Sequence, residues 1–179
     1  NKAAGALVKV LERGEQVRLS ASARGISAQI GDTWLHSKLI EGQYPDWRRV
    51  IPNTETLPHC AILDIAPLLA AVQRVRVTSH EKNHGLRLTW DAETLRLETS
   101  DQGDDSAEDQ IAIAEPLQPP PAPVVIGLKA DYLVDALRAL EAEGDQVRVR
   151  YADGERSLLL TPAAGSEQAV QHVVMPMRL

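Results

Sequence analysis

The sequence predicts an α+β fold in which two helices pack on one side of antiparallel sheet. The main observation is an internal repeat, because residues 59–175 read as β-α-β-β-β twice, at a period of about 65 residues. A proline-rich run, residues 119–123, is typical of a stiff extended connector and lies between the two copies. Two such units placed side by side bury both helices against one layer of strands.

The first copy combines one helical pattern with four strand patterns. We predict a strand at 59–63 and a helix at 64–76, in which Leu68, Val72 and Val75 share one face. Three runs of alternating character then predict strands at 86–90, 94–99 and 110–114.

The second copy repeats this order after the connector. A strand is predicted at 124–128 and a helix at 130–142, with apolar residues at helical spacing. Three more strands are predicted at 147–151, 157–161 and 169–175, separated by turns at Asp153-Gly154 and Gly165-Ser166.

Residues 1–40 fit the same unit without its first strand. The patterns predict a helix at 2–13 and strands at 17–23, 26–30 and 34–39. A natural domain rarely begins one strand into its own repeat, so we expect a further segment to precede residue 1. The sequence therefore divides into an incomplete unit, residues 1–52, and a complete pair, residues 53–179.

Composition limits the function classes. The net charge is −6, but residues 1–52 hold eight Lys and Arg against five Asp and Glu, and the remainder hold eleven against twenty. Phe is absent and aromatic residues make up 3% of the chain, which disfavours stacking platforms for single-stranded nucleic acid. The single cysteine, Cys60, lies in an apolar run and is expected to be buried, in keeping with a reducing cytoplasm. No apolar run is long enough to span a bilayer.

One run matches the zinc protease pattern HExxH. His80 and His84 would be ligands and Glu81 the general base, on one helical face. The residues before the run are β-branched, and the residues Asn83-His84-Gly85 are typical of a turn. Both features disfavour a helix here, so a solvated loop is the favoured interpretation. A metal-dependent hydrolase is the third and weakest alternative, which stoichiometric zinc in the purified chain would establish.

The segment 101–109 is strongly acidic. It lacks the alternating ligands and the bidentate Glu of a calcium loop. A solvated hairpin and an electrostatic patch for a partner remain as alternatives.

Other sites for chemistry find no support in the sequence. No histidine pairs with a serine or cysteine nucleophile in a defensible arrangement, and no glycine-rich phosphate loop is present. Cations lie on all three predicted helices, where contacts to a nucleic-acid backbone would need them, but taken alone they are ordinary solvated faces.

Two apolar segments stand outside the repeat. Residues 43–52 contain Pro45 and Pro52, which exclude regular structure, yet Tyr44, Trp47 and Val50 make the segment too apolar for a free linker. The chain ends in VVMPMRL, which composition alone favours as a final core strand. Its two methionines are also typical of adaptable binding surfaces.

These two segments carry a family resemblance. Residues 37–52, SKLIEGQYPDWRRVIP, closely resemble the domain-linking segment of the bacterial sliding clamp, the beta subunit of DNA polymerase III, and the terminus VVMPMRL resembles the end of the same protein. The resemblance covers the whole chain. Residues 1–52 are similar to the second half of the middle clamp domain, and residues 53–179 to the complete third domain.

The resemblance implies a non-enzymatic DNA polymerase processivity factor without a cofactor. The family protein is a ring of two chains with three domains each, which encircles duplex DNA without reading sequence, with helices lining the hole. Polymerase, clamp loader and repair enzymes dock short peptides into an apolar pocket between its middle and third domains. In this chain the pocket would comprise Pro45, Arg49, Val50, Ser157, Val173, Val174, Met175, Pro176 and Met177.

The resemblance also implies a DNA-facing surface and a ring interface. Lys2 and Lys9 would face the DNA, and the ring interface would use Val77, Thr78, Asp104, Asp105 and Glu108. The first domain and the first half of the middle domain have no counterpart in this chain. We therefore expect weaker peptide binding than in a full clamp and no ring of the usual type. A shortened clamp or a stand-alone peptide-binding module that does not encircle DNA is the alternative function.

Overall fold

A computed structural model describes residues 2–11, 16–78, 85–99, 106–166 and 170–178. The chain divides into two compact units, Asn1–Pro45 and Asp46–Leu179. The division falls inside the proline-containing segment that the sequence marked as a connection.

The part of the first unit that the structure describes forms one α-helix and a three-stranded antiparallel sheet. Its elements are α1 (Lys2–Val10), β1 (Arg18–Ala21), β2 (Gly25–Ile30) and β3 (Thr33–Lys38), and the sheet order is β1-β2-β3. Side chains alternate along β2, so that Ala28 and Ile30 are buried on one face of the sheet. Gly31, with a φ of 54°, supplies the left-handed position of the tight turn between β2 and β3.

Within the described residues, the second unit contains two α-helices and nine strands. In chain order these are β4 (His59–Asp64), α2 (Ile65–Val77), β5 (Gly85–Trp90), β6 (Thr94–Thr99), β7 (Glu108–Ala112), β8 (Glu115–Gln118), β9 (Val124–Lys129), α3 (Ala130–Leu140), β10 (Gln146–Tyr151), β11 (Leu158–Pro162) and β12 (His172–Val174).

The two copies of the repeat exchange their first strands. One sheet has the order β12-β11-β10-β4-β8 and the other β7-β6-β5-β9. β4, the first strand of the first copy, pairs with β10 of the second copy, while β9, the first strand of the second copy, pairs with β5 of the first. Neither copy therefore has a complete sheet of its own.

One core joins both helices to both sheets. Its buried members include Leu68 and Val72 of α2 and Leu133 and Leu137 of α3. The burial of aliphatic side chains, at about 25 cal/mol for each Å² removed from water, is the main force that holds the repeats together.

Trp90 and Tyr151 are the largest side chains of this core. Their rings stack with centroids 4.3 Å apart, and His59 lies against Tyr151 at 5.4 Å. Burial raises the pKa of the Tyr151 phenol above its usual value, and the interaction with Cys60 raises it further. Cys60 is buried, as the sequence predicted.

Most predicted elements are present within one or two residues, and the differences have physical causes. The strand β8 was missed because its four residues are exposed on both faces and include Pro116, so it shows no apolar alternation. It pairs with β4 alone, at the edge of the sheet, where proline is tolerated.

The last strand is shorter than predicted. β12 spans His172–Val174 rather than 169–175, and residues 167–169 lie outside the described residues. After Val174 the backbone leaves β11 and reaches the other sheet, where the Met177 amide donates to the Gly127 carbonyl at 2.8 Å. The structure describes α1 over Lys2–Val10, and residues 12 and 13 of the predicted helix lie outside the described residues. β1 covers only Arg18–Ala21 of the predicted 17–23. Among the described residues, none of the helices combines the length and the apolar character that a membrane crossing requires.

Candidate functional site

A groove of about 410 Å³ runs between α3 and the end of the chain in the second unit. Tyr132, Asp135 and Ala136 form the helix side, and residues 172–175 form the other side. The spacing of the three helix residues places them on one face of α3, since positions three and four apart are neighbours. The groove is mainly apolar, with Tyr132, Asp135 and His172 as polar groups in its lining.

The register of β12 decides which terminal side chains are available. Val174 pairs with Leu158 and is only 3% exposed, as part of the main core. Val173 points to the opposite face, where it packs on a small cluster of Leu57, Ala152 and Leu159. Met175 is 59% exposed. Of these three neighbours in sequence, Met175 offers the most surface to a ligand.

Hydrogen bonds hold both ends of the terminal segment, residues 175–177, in place. The Ser157 hydroxyl donates to the Met175 sulfur, at 3.0 Å between Oγ and Sδ. Two residues later the Met177 amide is bonded to β9, as described above. Pro176 and Met177 are partly buried. The structure thus places Ser157 in contact with Met175, directly after Val173 and Val174 of β12, and their part in a peptide pocket stays a prediction.

Arg49 and Val50 lie in a one-turn helix, Trp47–Arg49, and at its end. Asp46 caps this turn by accepting from the Arg48 amide at 3.2 Å, and Arg49 Nε lies 3.7 Å from Asp46 Oδ2. The Arg48 guanidinium covers the Trp47 ring at 4.5 Å. These local interactions shape the turn.

The expectation that this apolar segment packs away from solvent holds only for its end. Ile51 and Pro52 are partly buried and Leu57 is fully buried, but Val50 and Tyr44 are exposed. Pro45 belongs to the first unit, where it lines an apolar groove of about 740 Å³ with residues of α1 and the sheet. Exposed apolar side chains in such number are typical of interaction surfaces.

The predicted DNA-facing cations lie on α1. Lys9 is exposed in its last turn, and Lys2 is its first residue. On α2 the cations are neutralised instead, since Arg74 Nη2 lies 2.6 Å from Asp109 and Arg76 Nη2 lies 2.8 Å from Asp131. Lys9 is therefore the stronger candidate for a phosphate contact.

The predicted ring-interface residues that the structure describes lie on α2 and β7. Val77 is 85% exposed at the end of α2, and the Thr78 hydroxyl donates to the Val75 carbonyl at 3.0 Å. Glu108 begins β7, an edge strand that the Arg74–Asp109 ion pair ties to α2.

Several of the residues singled out in the sequence lie outside the part of the chain that the structure describes. These are Asp104 and Asp105, most of the acidic segment 101–109, and the HExxH run with His80 and His84. Among the described residues, no group of three His, Cys, Asp or Glu side chains could hold a metal ion.

Tyr132, Asp135 and His172 were not predicted as site residues. Tyr132 is an exposed aromatic residue on a helix whose other face is buried. The sequence contained a signal for Tyr132, because an aromatic residue on the polar face of an amphipathic helix does not pack into the core and is available to a ligand.

Comparison with known proteins decides the family. Residues 48–178 match the family described as DNA polymerase III beta subunit, C-terminal domain. The chain belongs to the beta sliding clamp family. This confirms the resemblance that residues 37–52 and 173–179 carried.

Relatives and solved structures extend the match to nearly the whole chain. The beta sliding clamp of Salmonella typhimurium is 32% identical over 174 residues, which cover 97% of this chain and 45% of that protein. The crystal structure of the DNA polymerase sliding clamp from Pseudomonas aeruginosa with ligand has a TM-score of 0.83 at 27% identity, over 99% of this chain and 46% of that one.

A second solved clamp gives the same result. The sliding clamp from Bartonella birtlesii, bound to griselimycin, has a TM-score of 0.83 at 29% identity, over 99% of this chain and 46% of that one. The α+β clamp fold is therefore established. The chain spans about half the length of the curated relatives it matches.

Proposed function

We infer that this chain is part of a DNA polymerase processivity clamp that recruits partner proteins through short apolar peptides. The observation that carries this function is the groove between α3 and the terminal segment, with Met175 exposed along it. The partners expected are the replicative polymerase, the clamp loader and repair polymerases. The clamp acts by tethering, without catalytic residues or a cofactor, in the cytoplasm.

The physics of the groove suits peptide docking. Each Leu or Phe anchor that a peptide buries contributes about 1.5–3 kcal/mol. Met175 has three rotatable bonds and a polarizable sulfur, so it adapts to different anchors. The phenol of Tyr132 and the carboxylate of Asp135 can orient the peptide backbone at the rim. Arg49 and Val50 are proposed to extend this surface. The role of Pro45 in peptide binding stays a prediction.

Calorimetry with a short peptide that carries one Leu and one Phe tests this function. We expect binding that is lost when both anchors become Ala, and that is weaker than the binding of the same peptide by a full-length clamp. Met175→Ala should weaken binding about five- to tenfold, from the loss of roughly 1 kcal/mol of apolar burial. Val77→Ala, which truncates an exposed side chain on α2, should leave affinity unchanged. Equal affinities of the Met175 and Val77 variants would contradict the site.

Duplex DNA is the second proposed partner, held through its phosphates without sequence preference. Lys2 and Lys9 on α1 are its proposed contacts. Because Arg74 and Arg76 are engaged in ion pairs, we expect weak binding that disappears at moderate salt. Lys9→Gln should lower the affinity for two unrelated duplexes by the same factor, and a sequence-dependent loss would contradict backbone recognition.

A ring of two chains is proposed for the intact clamp. The end of α2 and the open edge of β7 would meet the first domain of a second chain, with Val77, Thr78, Asp104, Asp105 and Glu108 as its contacts. The 179-residue chain should then be unable to close such a ring. Light scattering that detects a closed dimer of the usual type would contradict this. A stand-alone peptide-binding module is the alternative, and the length of the intact protein separates the two.

A further inference from the structure

The outer face of the sheet in the first unit carries an ordered set of polar and aromatic side chains. Residue pairing places Arg18, Gln29 and Trp34 side by side across the three strands. The next row is Ser20, Ser27 and His36. Lys38 lies one row further, opposite Gly25. Since side chains on one face recur every second residue, these groups share a surface.

This face is distinct from the one that lines the groove beside α1. The other side chains of the sheet, such as Leu19, Ala28 and Leu35, line the apolar groove together with residues of α1. Lys9, the candidate contact for duplex DNA, lies on that helix. The polar face is therefore turned away from the helix side of the sheet.

Two aromatic rings lie parallel on the polar face. Trp34 and His36 stack with ring centroids 5.8 Å apart and ring planes 7° apart, and Trp34 is 56% exposed. The Ser27 hydroxyl and His36 Nδ1 are hydrogen bonded at 2.8 Å, which fixes the imidazole. More than half of the Trp34 surface therefore remains open to a ligand.

The charges around the rings are positive. Arg18 and Lys38 lie at opposite corners, about 13 Å apart along the strands at 3.3 Å for each residue. Both are exposed, and neither forms an ion pair with any residue that the structure describes. No carboxylate occupies the paired positions of this face. In a chain with a net charge of −6, a set of paired positions that holds two cations and no acid is a local exception.

We propose that the outer face of β1–β3 binds single-stranded nucleic acid, with a base stacked on Trp34 and phosphates on Arg18 and Lys38. A cationic surface that surrounds an exposed aromatic ring is the combination that holds single strands without sequence preference. Ser20 adds a hydroxyl donor for a phosphate oxygen. An open depression of about 500 Å³ beside Ser20, Ser27, His36 and Lys38 leaves room for the strand.

A single strand fits this face better than a duplex does. A duplex keeps its base faces stacked inside the helix and offers only phosphates, so it could use Arg18 and Lys38 but not Trp34. An acidic peptide could use the same two cations and would likewise gain nothing from the ring. The stacking contribution of Trp34 therefore distinguishes the proposed ligand from both.

The test uses the 179-residue chain and fluorescein-labelled oligo-dT, measured by fluorescence anisotropy at low salt. We expect Trp34→Ala to weaken binding at least about fivefold, within the range that stacking aromatics show on alanine replacement. Lys38→Gln should also weaken binding and reduce the slope of log affinity against log salt by about 0.7. Trp47→Ala, which removes an exposed tryptophan of the second unit, is the matched control and should bind like the parent chain.

Quenching gives a second measurement. Of the three tryptophans, Trp90 is buried, so in the Trp47→Ala chain an oligonucleotide should quench Trp34 alone. A duplex of equal length should quench far less. The proposal is overturned if Trp34→Ala binds oligo-dT unchanged, or if duplex or poly-glutamate competes as well as oligo-dT. Equal thermal melting of the variants excludes unfolding as the cause of a loss.

Discussion

Val174 and Met175 are adjacent in sequence, and the structure predicts that their truncation has opposite consequences. Val174→Ala removes two carbons from a side chain in the core, at about 0.8 kcal/mol each. The cavity left behind contributes at most about 1 kcal/mol more, so the expected loss in the free energy of unfolding is about 2–2.5 kcal/mol. For a chain of this size that lowers the melting temperature by about 4–10 °C.

Met175→Ala should cost less than about 0.5 kcal/mol, because the side chain is mostly exposed. Peptide affinity should show the reverse order below the melting temperatures of both variants, with Met175→Ala weakened more than Val174→Ala. Urea unfolding followed by circular dichroism gives the first quantity, and calorimetry gives the second. If Met175→Ala destabilises the chain as much as Val174→Ala, the assignment of the two faces of β12 is wrong.

Three further predictions concern packing and charge. Because the pKa of Tyr151 is raised in the folded chain, the tyrosine of the unfolded chain loses its proton first as the pH rises above 10. The free energy of unfolding should therefore fall by about 1.4 kcal/mol between neutral pH and pH 11. Urea unfolding of Tyr151→Phe should lack this loss, whereas Tyr132→Phe at an exposed site should keep it. Asp109→Asn should cost at most about 1 kcal/mol by urea unfolding at low salt and less at high salt, since the ion pair is near the surface. Gly5→Ala should raise the stability of the first unit by up to about 1 kcal/mol, because nothing crowds the added methyl. In contrast Gly25→Ala should lower it, because its methyl would lie 3.1 Å from the Ser37 carbonyl, and thermal melting compares the two.

Periodicity predicted the elements that are buried on one face and exposed on the other. The strand at 94–99 is found with the predicted bounds, because Leu95 and Leu97 enter the core while their neighbours do not. The helix predicted at 64–76 is found one residue later, as Ile65–Val77. The edge strand β8 carries no such pattern, since no side of it is buried, and only pairing partners distant in sequence define it.

The candidate site was less accessible to sequence reasoning. The run VVMPM contains no alternation, so the opposite directions of Val173 and Val174 follow only from the pairing of β12 with Leu158 and Leu159. Composition also says nothing about where residues lie. The low aromatic content is an average over the chain, and it conceals the placement of Trp34 beside His36 on one exposed face.

The exchange of first strands between the two copies has a consequence for how the second unit can be divided. Cleavage in the proline-rich connector, residues 119–123, would leave two polypeptides that each contribute a strand to the sheet of the other. Such halves should reassemble when mixed rather than fold alone, so the unit should tolerate a split gene or a circular permutation at the connector. For the same reason the second unit should unfold in a single step, because neither half is stable without the strand that the other contributes.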